Sequence, residues 1–188
     1  MKKSITLFAI LFSFGITFAQ TPEEMAAWEA SMKPSEQHKW LASMDGSWNA
    51  KVKMWMDPSQ PAQESDATTK NEMIMNGLYQ RSIHTGDMMG MPFHGESTTG
   101  YDNTNKKFVA TWIDNMGTGI MYMEGNYDDV SKTLTLKGSM TDPMTGKDIE
   151  VKETITHNSP DQHTFIMYMV HNGKETKTME IVYTRAKD

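Results

Sequence analysis

The side chains best placed to do chemistry in this chain are soft thioethers. It carries 19 methionines and no cysteine. Many of the methionines stand two apart: Met54/Met56, Met73/Met75, Met121/Met123 and Met167/Met169. Residues i and i+2 of a β-strand share a face. The spacing therefore predicts strands that present thioethers to one interior, with Met140 and Met179 joining the set by phase. Methionine fills irregular gaps in a core, and the same flexibility lets a wall repack around apolar guests of different shape. A third chemistry is soft-metal capture, since thioethers select Cu(I). The densest donor group for it is Met88, Met89, Met91 and His94, within a Gly/Met-rich loop that starts at Gly86. Exposed methionines can also scavenge oxidants reversibly.

The six histidines (His38, His84, His94, His157, His163, His171) include no pair at helical i, i+4 spacing. With no cysteine to complete a set, they do not describe a structural zinc site. His84, His157 and His171 fall near strand ends on faces shared with apolar residues. They could crowd one mouth of a barrel and offer a ligand to a haem iron; scattered hydrogen-bonded imidazoles are the plainer reading. His38 reads as helix-to-barrel packing.

Among the acids, Glu153 is in phase with Ile149, Val151 and Ile155, and Asp114 with Phe108, Ala110 and Trp112. A buried, unpaired carboxylate is costly. An inward Glu153 should therefore pair with a cation such as Arg81 or a histidine, hold a water, or meet a ligand head group. A bulge that turned it outward is the alternative. An enzyme reading would use Asp114, Glu153 or a mouth histidine, but nothing in the sequence pairs the two carboxylates. There is no nucleophile elbow, phosphate loop or dinucleotide fingerprint, and Gly117-Thr118-Gly119 is a turn followed by a strand.

The elements that must position these residues are mostly strands. Residues 1–19 read as a secretory signal, with Lys2 and Lys3 before an apolar stretch from Ile5 to Phe18 and small residues near Ala19. A retained N-terminal anchor is the alternative. The stretch is short and broken for a stable membrane span. Thr21-Pro22-Glu23-Glu24 has the form of a capping box with proline in the first turn, so a helix is expected to about Met32. A second runs from the Ser35 cap to Met44, within a helical segment spanning 20–45. From Gly46 to residue 188, period-2 segments alternate with turn clusters. About ten strands follow one another with no helix between them. Closing such a meander into an up-and-down barrel removes its exposed edges; a two-sheet sandwich is the alternative.

Removal of the signal would take the net charge from −6 to −8. An acidic chain without basic clusters argues against nucleic acid and against an anionic membrane surface.

A resemblance adds to this. Gly46-Ser47-Trp48 at the entrance to the first strand and Arg185 at the end of the last resemble the structural signature of lipocalin-like (calycin) barrels, in which the tryptophan closes the base and the arginine covers its ring. The longer string is more specific. Glu36-Gln37-His38-Lys39-Trp40-Leu41 is followed by Gly77, Met91-Pro92-Phe93-His94-Gly95, Gly100-Tyr101-Asp102, Trp112-Ile113-Asp114, Glu124-Gly125 and Met179 to Arg185. In this order they resemble the bacterial domain of unknown function 1579 family across about residues 34 to 186. The resemblance implies a lipocalin-like barrel and brings no activity and no catalytic residue.

The expectation is an exported, all-β, lipocalin-like antiparallel barrel of about ten strands with one or two short N-terminal helices. It would bind a small, largely apolar molecule. The candidate cavity residues are Met54, Met56, Asn71, Met73, Met75, Ser97, Thr99, Trp112, Met121, Met123, Glu153, Met167, Met169 and His171. Copper on Met88, Met89, Met91 and His94, or haem, is the alternative; Trp48 and Arg185 are structural. No cofactor is specified by any motif.

Overall fold

The computed structural model describes residues 21–187; the expected signal segment lies outside them. Two short helices come first. In α1 (Pro22–Ser31), the Thr21 hydroxyl accepts from the Glu24 backbone N–H at 3.2 Å, and the Glu24 carboxylate accepts from the Thr21 N–H at 2.7 Å. This reciprocal pair satisfies two amides that a helix N-terminus leaves free. α1 buries no residue, and Asn103 ties its end down by donating to the Ser31 and Lys33 carbonyls. In α2 (Glu36–Ala42), His38 takes the place of the usual glutamate: its Nδ1 accepts from the Ser35 N–H at 2.9 Å. This contact leaves the proton of the neutral ring on Nε2.

Ten strands follow: β1 (Gly46–Met54), β2 (Gln63–Ile74), β3 (Tyr79–Met88), β4 (Met91–Asp102), β5 (Lys107–Asp114), β6 (Met121–Asp128), β7 (Thr133–Thr141), β8 (Asp148–Ser159), β9 (Gln162–His171) and β10 (Lys174–Arg185). Each pairs antiparallel with its sequence neighbour, and β1 pairs with β10 from Trp48↔Arg185 to Met54↔Met179, which closes the barrel. Closure leaves no strand edge open, as the unbroken meander requires, and it excludes the sandwich.

The two ends differ. At one, α2 lies across the barrel and its apolar side buries Leu41 and, just beyond it, Met44 against Trp48, Phe108, Leu134 and Leu136. The carbonyls at the end of α2 are met by barrel side chains. Gln80 donates to Leu41 O at 2.6 Å, Asn71 and the Trp48 indole each to Met44 O at 2.9 Å, and Arg185 to Ser43 O at 3.0 Å and Asp45 O at 2.7 Å. The Arg185 guanidinium also sits 4.2 Å over the Trp48 ring. This end is sealed by hydrogen bonds as well as by burial. At the other end no helix intervenes among the described residues. There the inward side chains of Met54, Trp112, Met121, Met140 and Met169 are only half-buried.

Two segments differ from expectation. The supposed Gly86–Pro92 loop is a tight hairpin: β3 runs on to Met88, which opposes Met91, and only Met89 and Gly90 turn the chain, with φ of 55° and 81°. Two consecutive left-handed residues give the primed turn that matches strand twist. Met75 and Asn76, at φ 49° and 59°, form a left-handed turn with Gly77 rather than extending β2.

Candidate functional site

Strand register fixes which side chains face the interior. On β8, Val151 and Glu153 are buried, and Glu153 stands opposite Leu136 on β7 and Met167 on β9. Thr69 on β2 opposes His84 on β3, and Tyr183 on β10 opposes His163 on β9. The Thr69 hydroxyl lies 2.9 Å from His84 Nδ1. Rings continue along the wall in both directions. Phe93 and Trp112 stack at 6.3 Å, and Trp112 meets His84 at 5.2 Å. His84 then meets Tyr183 at 6.4 Å, Tyr183 stacks on His163 at 4.5 Å, and His163 meets Trp48 at 4.4 Å. Six rings thus run from the open end to the sealed base. Gly95 makes room for this series: a Cβ there would sit 2.6 Å from the Trp112 ring.

The interior holds titratable groups in their neutral forms. Burial pushes the Glu153 carboxyl up to about 8. Burial, and then the nearby His94, push His84 down to about 4. Burial lowers His163 to about 4 as well, with His157, Arg185 and His84 adding to the effect. The Tyr183 phenol is raised, first by burial and then by Glu153. Each shift has the sign that loss of water imposes on a charged form. Among the described residues, Glu153 has no ion pair and no hydrogen-bonding side-chain partner, although it is only 9% exposed. Arg81, considered as its partner, points outward and pairs with Glu72. Asp114 is engaged by the Trp112 indole at 2.7 Å and the Met116 N–H at 2.8 Å, so it is not a free base.

The cavity candidates separate into groups. Met54, Met121, Met167, Met169, Trp112, Ser97 and Thr99 face inward and are half-buried. Met123 is enclosed, and Met73 packs against the core near the base. Asn71 faces inward, but its amide holds α2. His171 is on the inward phase of β9 but exposed at the rim. Met56 and Met75 are outside: β1 ends at Met54 and the left-handed turn removes Met75 from the strand, leaving them 69% and 68% exposed. The copper group does not converge. Met88 and Met91 oppose each other on one face, Met89 is on the turn, and His94, by alternation, faces outward toward Glu96 at 3.3 Å. His84 and His157 lie on inward phases at different levels, and His171 is apart from both.

Sequence reasoning missed Thr69 as the partner of His84, Tyr183 and His163 as interior groups, and Gln80 as the anchor of α2. Tyr183 was detectable, because it is two residues from Arg185 and so shares its inward phase.

The chain matches the family described as "Protein of unknown function (DUF1579)" over residues 33–185. Among solved structures it is similar to Rv2717c from M. tuberculosis, with a TM-score of 0.61 and 12% identity over 82% of this chain and 100% of that one. It is also similar to the S-type phycobiliprotein lyase CPES from Guillardia theta, with a TM-score of 0.55 and 12% identity over 85% of this chain and 97% of that one. At such identity the likeness is one of fold. No curated protein matches the chain.

Proposed function

The chain belongs to the DUF1579 family of unknown function, and within that family we propose that it is an exported carrier of a small, largely apolar molecule, held in the methionine- and aromatic-lined half of a lipocalin-like barrel. The observation that carries this reading is the contrast between the two ends. Around Trp48 the interior is filled and hydrogen-bonded shut, whereas inward methionines at the far end retain accessible surface. A barrel kept only for stability gains by filling both ends, since each apolar side chain brought out of water stabilises by about 1.5–3 kcal/mol. Binding sites combine an apolar wall with a few convergent polar groups; here Ser97, Thr99, His84 and Glu153 supply them. Export rests on the signal-like residues 1–19.

Uptake of an environment-sensitive neutral apolar dye by the protein lacking residues 1–19 tests the reading. Saturable uptake is expected, and Met169→Glu should weaken it at least about tenfold by placing a charge in the apolar wall while circular dichroism stays that of a folded barrel. A folded wild-type barrel that takes up no dye would overturn it.

An oxidant-buffer role has one observation in its favour. Four of the five hairpin connections at the open end carry an exposed methionine: Met56, Met89, Met116 and Met144.

A further inference from the structure

The barrel interior contains an acid that no cation among the described residues neutralises. Glu153 is fixed inward by its pairing with Leu136 and Met167, is nine-tenths buried, and meets no cation among the described residues. Lys137, Lys152 and Lys177 on the surrounding strands point outward by alternation, and Lys174, which opposes His171, is exposed at the rim; Lys152, beside Glu153 on β8, reaches Glu175 and the Tyr168 ring. Arg185 is at the base, engaged with Asp161 and with the α2 carbonyls. The titratable groups that share the interior are His157 on its own strand, His163 on β9, Tyr183 on β10 and His84 on β3. A buried carboxyl is far less costly when a counter-ion arrives with a ligand than when it stands alone.

We propose that the ligand is an amphiphile with a cationic ammonium head group, seated at Glu153 with its apolar chain directed toward the methionine mouth. This rests on the carrier reading and adds the class of ligand. Three features converge on it. Among the described residues, Glu153 is the interior acid left without a partner, since Asp114 is held by the Trp112 indole and the Met116 N–H. The ring series from Phe93 to Trp48 offers aromatic faces, and the face of an aromatic ring attracts organic cations. The half-buried thioethers of Met54, Met121 and Met169 give the chain a polarizable, adaptable surface. An anionic amphiphile of the same length meets the opposite conditions, since its charge holds the proton on Glu153 and, among the described residues, no interior cation receives its head group. An ammonium group favours the carboxylate, so its entry drives off the proton that burial keeps on Glu153.

The test is competition for the neutral dye by dodecylammonium, dodecanol and laurate, with calorimetry of dodecylammonium alone in two buffers of different ionisation enthalpy. Dodecylammonium should displace the dye at least about tenfold more strongly than laurate, as expected for a desolvated charge contact, and should release close to one proton at neutral pH. Glu153→Gln keeps the shape and removes the charge. With circular dichroism that of a folded barrel, it should lose both the preference for dodecylammonium over laurate and the proton release. Laurate binding as well as dodecylammonium, or an unchanged preference in the glutamine variant, would overturn the proposal and leave the carrier reading standing. A folded wild type that binds neither dye nor dodecylammonium overturns both.

Discussion

Glu153 and the interior histidines pull stability in opposite directions as pH changes. The Glu153 carboxyl sits at about 8 in the fold against an ordinary value of 4.5. A raised acid binds its proton more tightly when folded, so its contribution is complete below the ordinary value and is lost as pH rises toward 8. His84 and His163, at about 4 against 6.5, behave in the opposite way. Between those values the unfolded chain binds more protons, so stability rises with pH; burial gives His38 the same sign. Two or more histidines outweigh one acid below 6.5, and the acid acts alone above it. The ligand-free protein should therefore be most stable near pH 6.5 and lose about 2 kcal/mol between there and pH 8, one proton over roughly 1.5 units. Urea unfolding at a series of pH values measures this. The falling limb should vanish in Glu153→Gln, and a limb that persists there would assign it to another group. The inward direction of Glu153 was legible from its phase with Val151 and Ile155. That no cation among the described residues meets it was not, because Arg81 shares its phase with Tyr79 and Ile83, which left its direction open until the burial of Gln80 and Ser82 turned it outward.

The elements followed their local signals closely, and the departures share one cause. The Thr21 capping box starts α1, and alternation predicted most of the inward faces. Met56 and Met75 were placed inside because alternation was carried past the points where strands end. β1 ends at Met54, and β2 gives way to left-handed residues at Met75 and Asn76. A left-handed methionine has no composition signal, since that conformation is expected of Gly, Asn or Asp. Met89 misled in the same way, making a two-residue turn look like a loop with converging donors. The joint between α2 and the barrel was marked by the resemblance to lipocalin-like barrels rather than by a local signal. The motif pair Trp48 and Arg185 marked the base, and the structure adds how it works: one guanidinium serves the Ser43, Asp45 and Pro160 carbonyls and the Asp161 carboxylate. A lysine has the charge but not the planar fork. Arg185→Lys should therefore lower the unfolding free energy by about 2 kcal/mol, the scale of losing hydrogen bonds to a charged group, with dye uptake at the far end retained. A loss below about 0.5 kcal/mol in urea titration, the level of an ordinary surface change, would mean that Trp48, Asn71 and Gln80 hold α2 without it.

At the scale of the whole molecule, the methionines are arranged in depth, and that order can be read chemically. Met144 at a hairpin tip is 92% exposed, the wall methionines Met54, Met167 and Met169 are half-buried, and Met123 in the sealed interior is 3% exposed. Thioether oxidation by peroxide follows exposure. Conversion to sulfoxide makes the side chain polar, so a wall methionine that reacts also spoils the apolar surface around it. Brief peroxide treatment followed by peptide mass mapping should therefore give three rates: Met56, Met89, Met116 and Met144 first, the wall set next, and Met44 and Met123 last. Occupation of the barrel by dodecylammonium or by the neutral dye should slow the wall set alone, because the rim is outside the site and the sealed interior is already shielded. Dye uptake should survive oxidation of the rim and fall as the wall set reacts, which separates a surface that absorbs oxidant from a surface that binds ligand. If instead Met54, Met167 and Met169 resist peroxide as strongly as Met123 in the empty protein, the far end is closed to small molecules and the methionines serve as core packing.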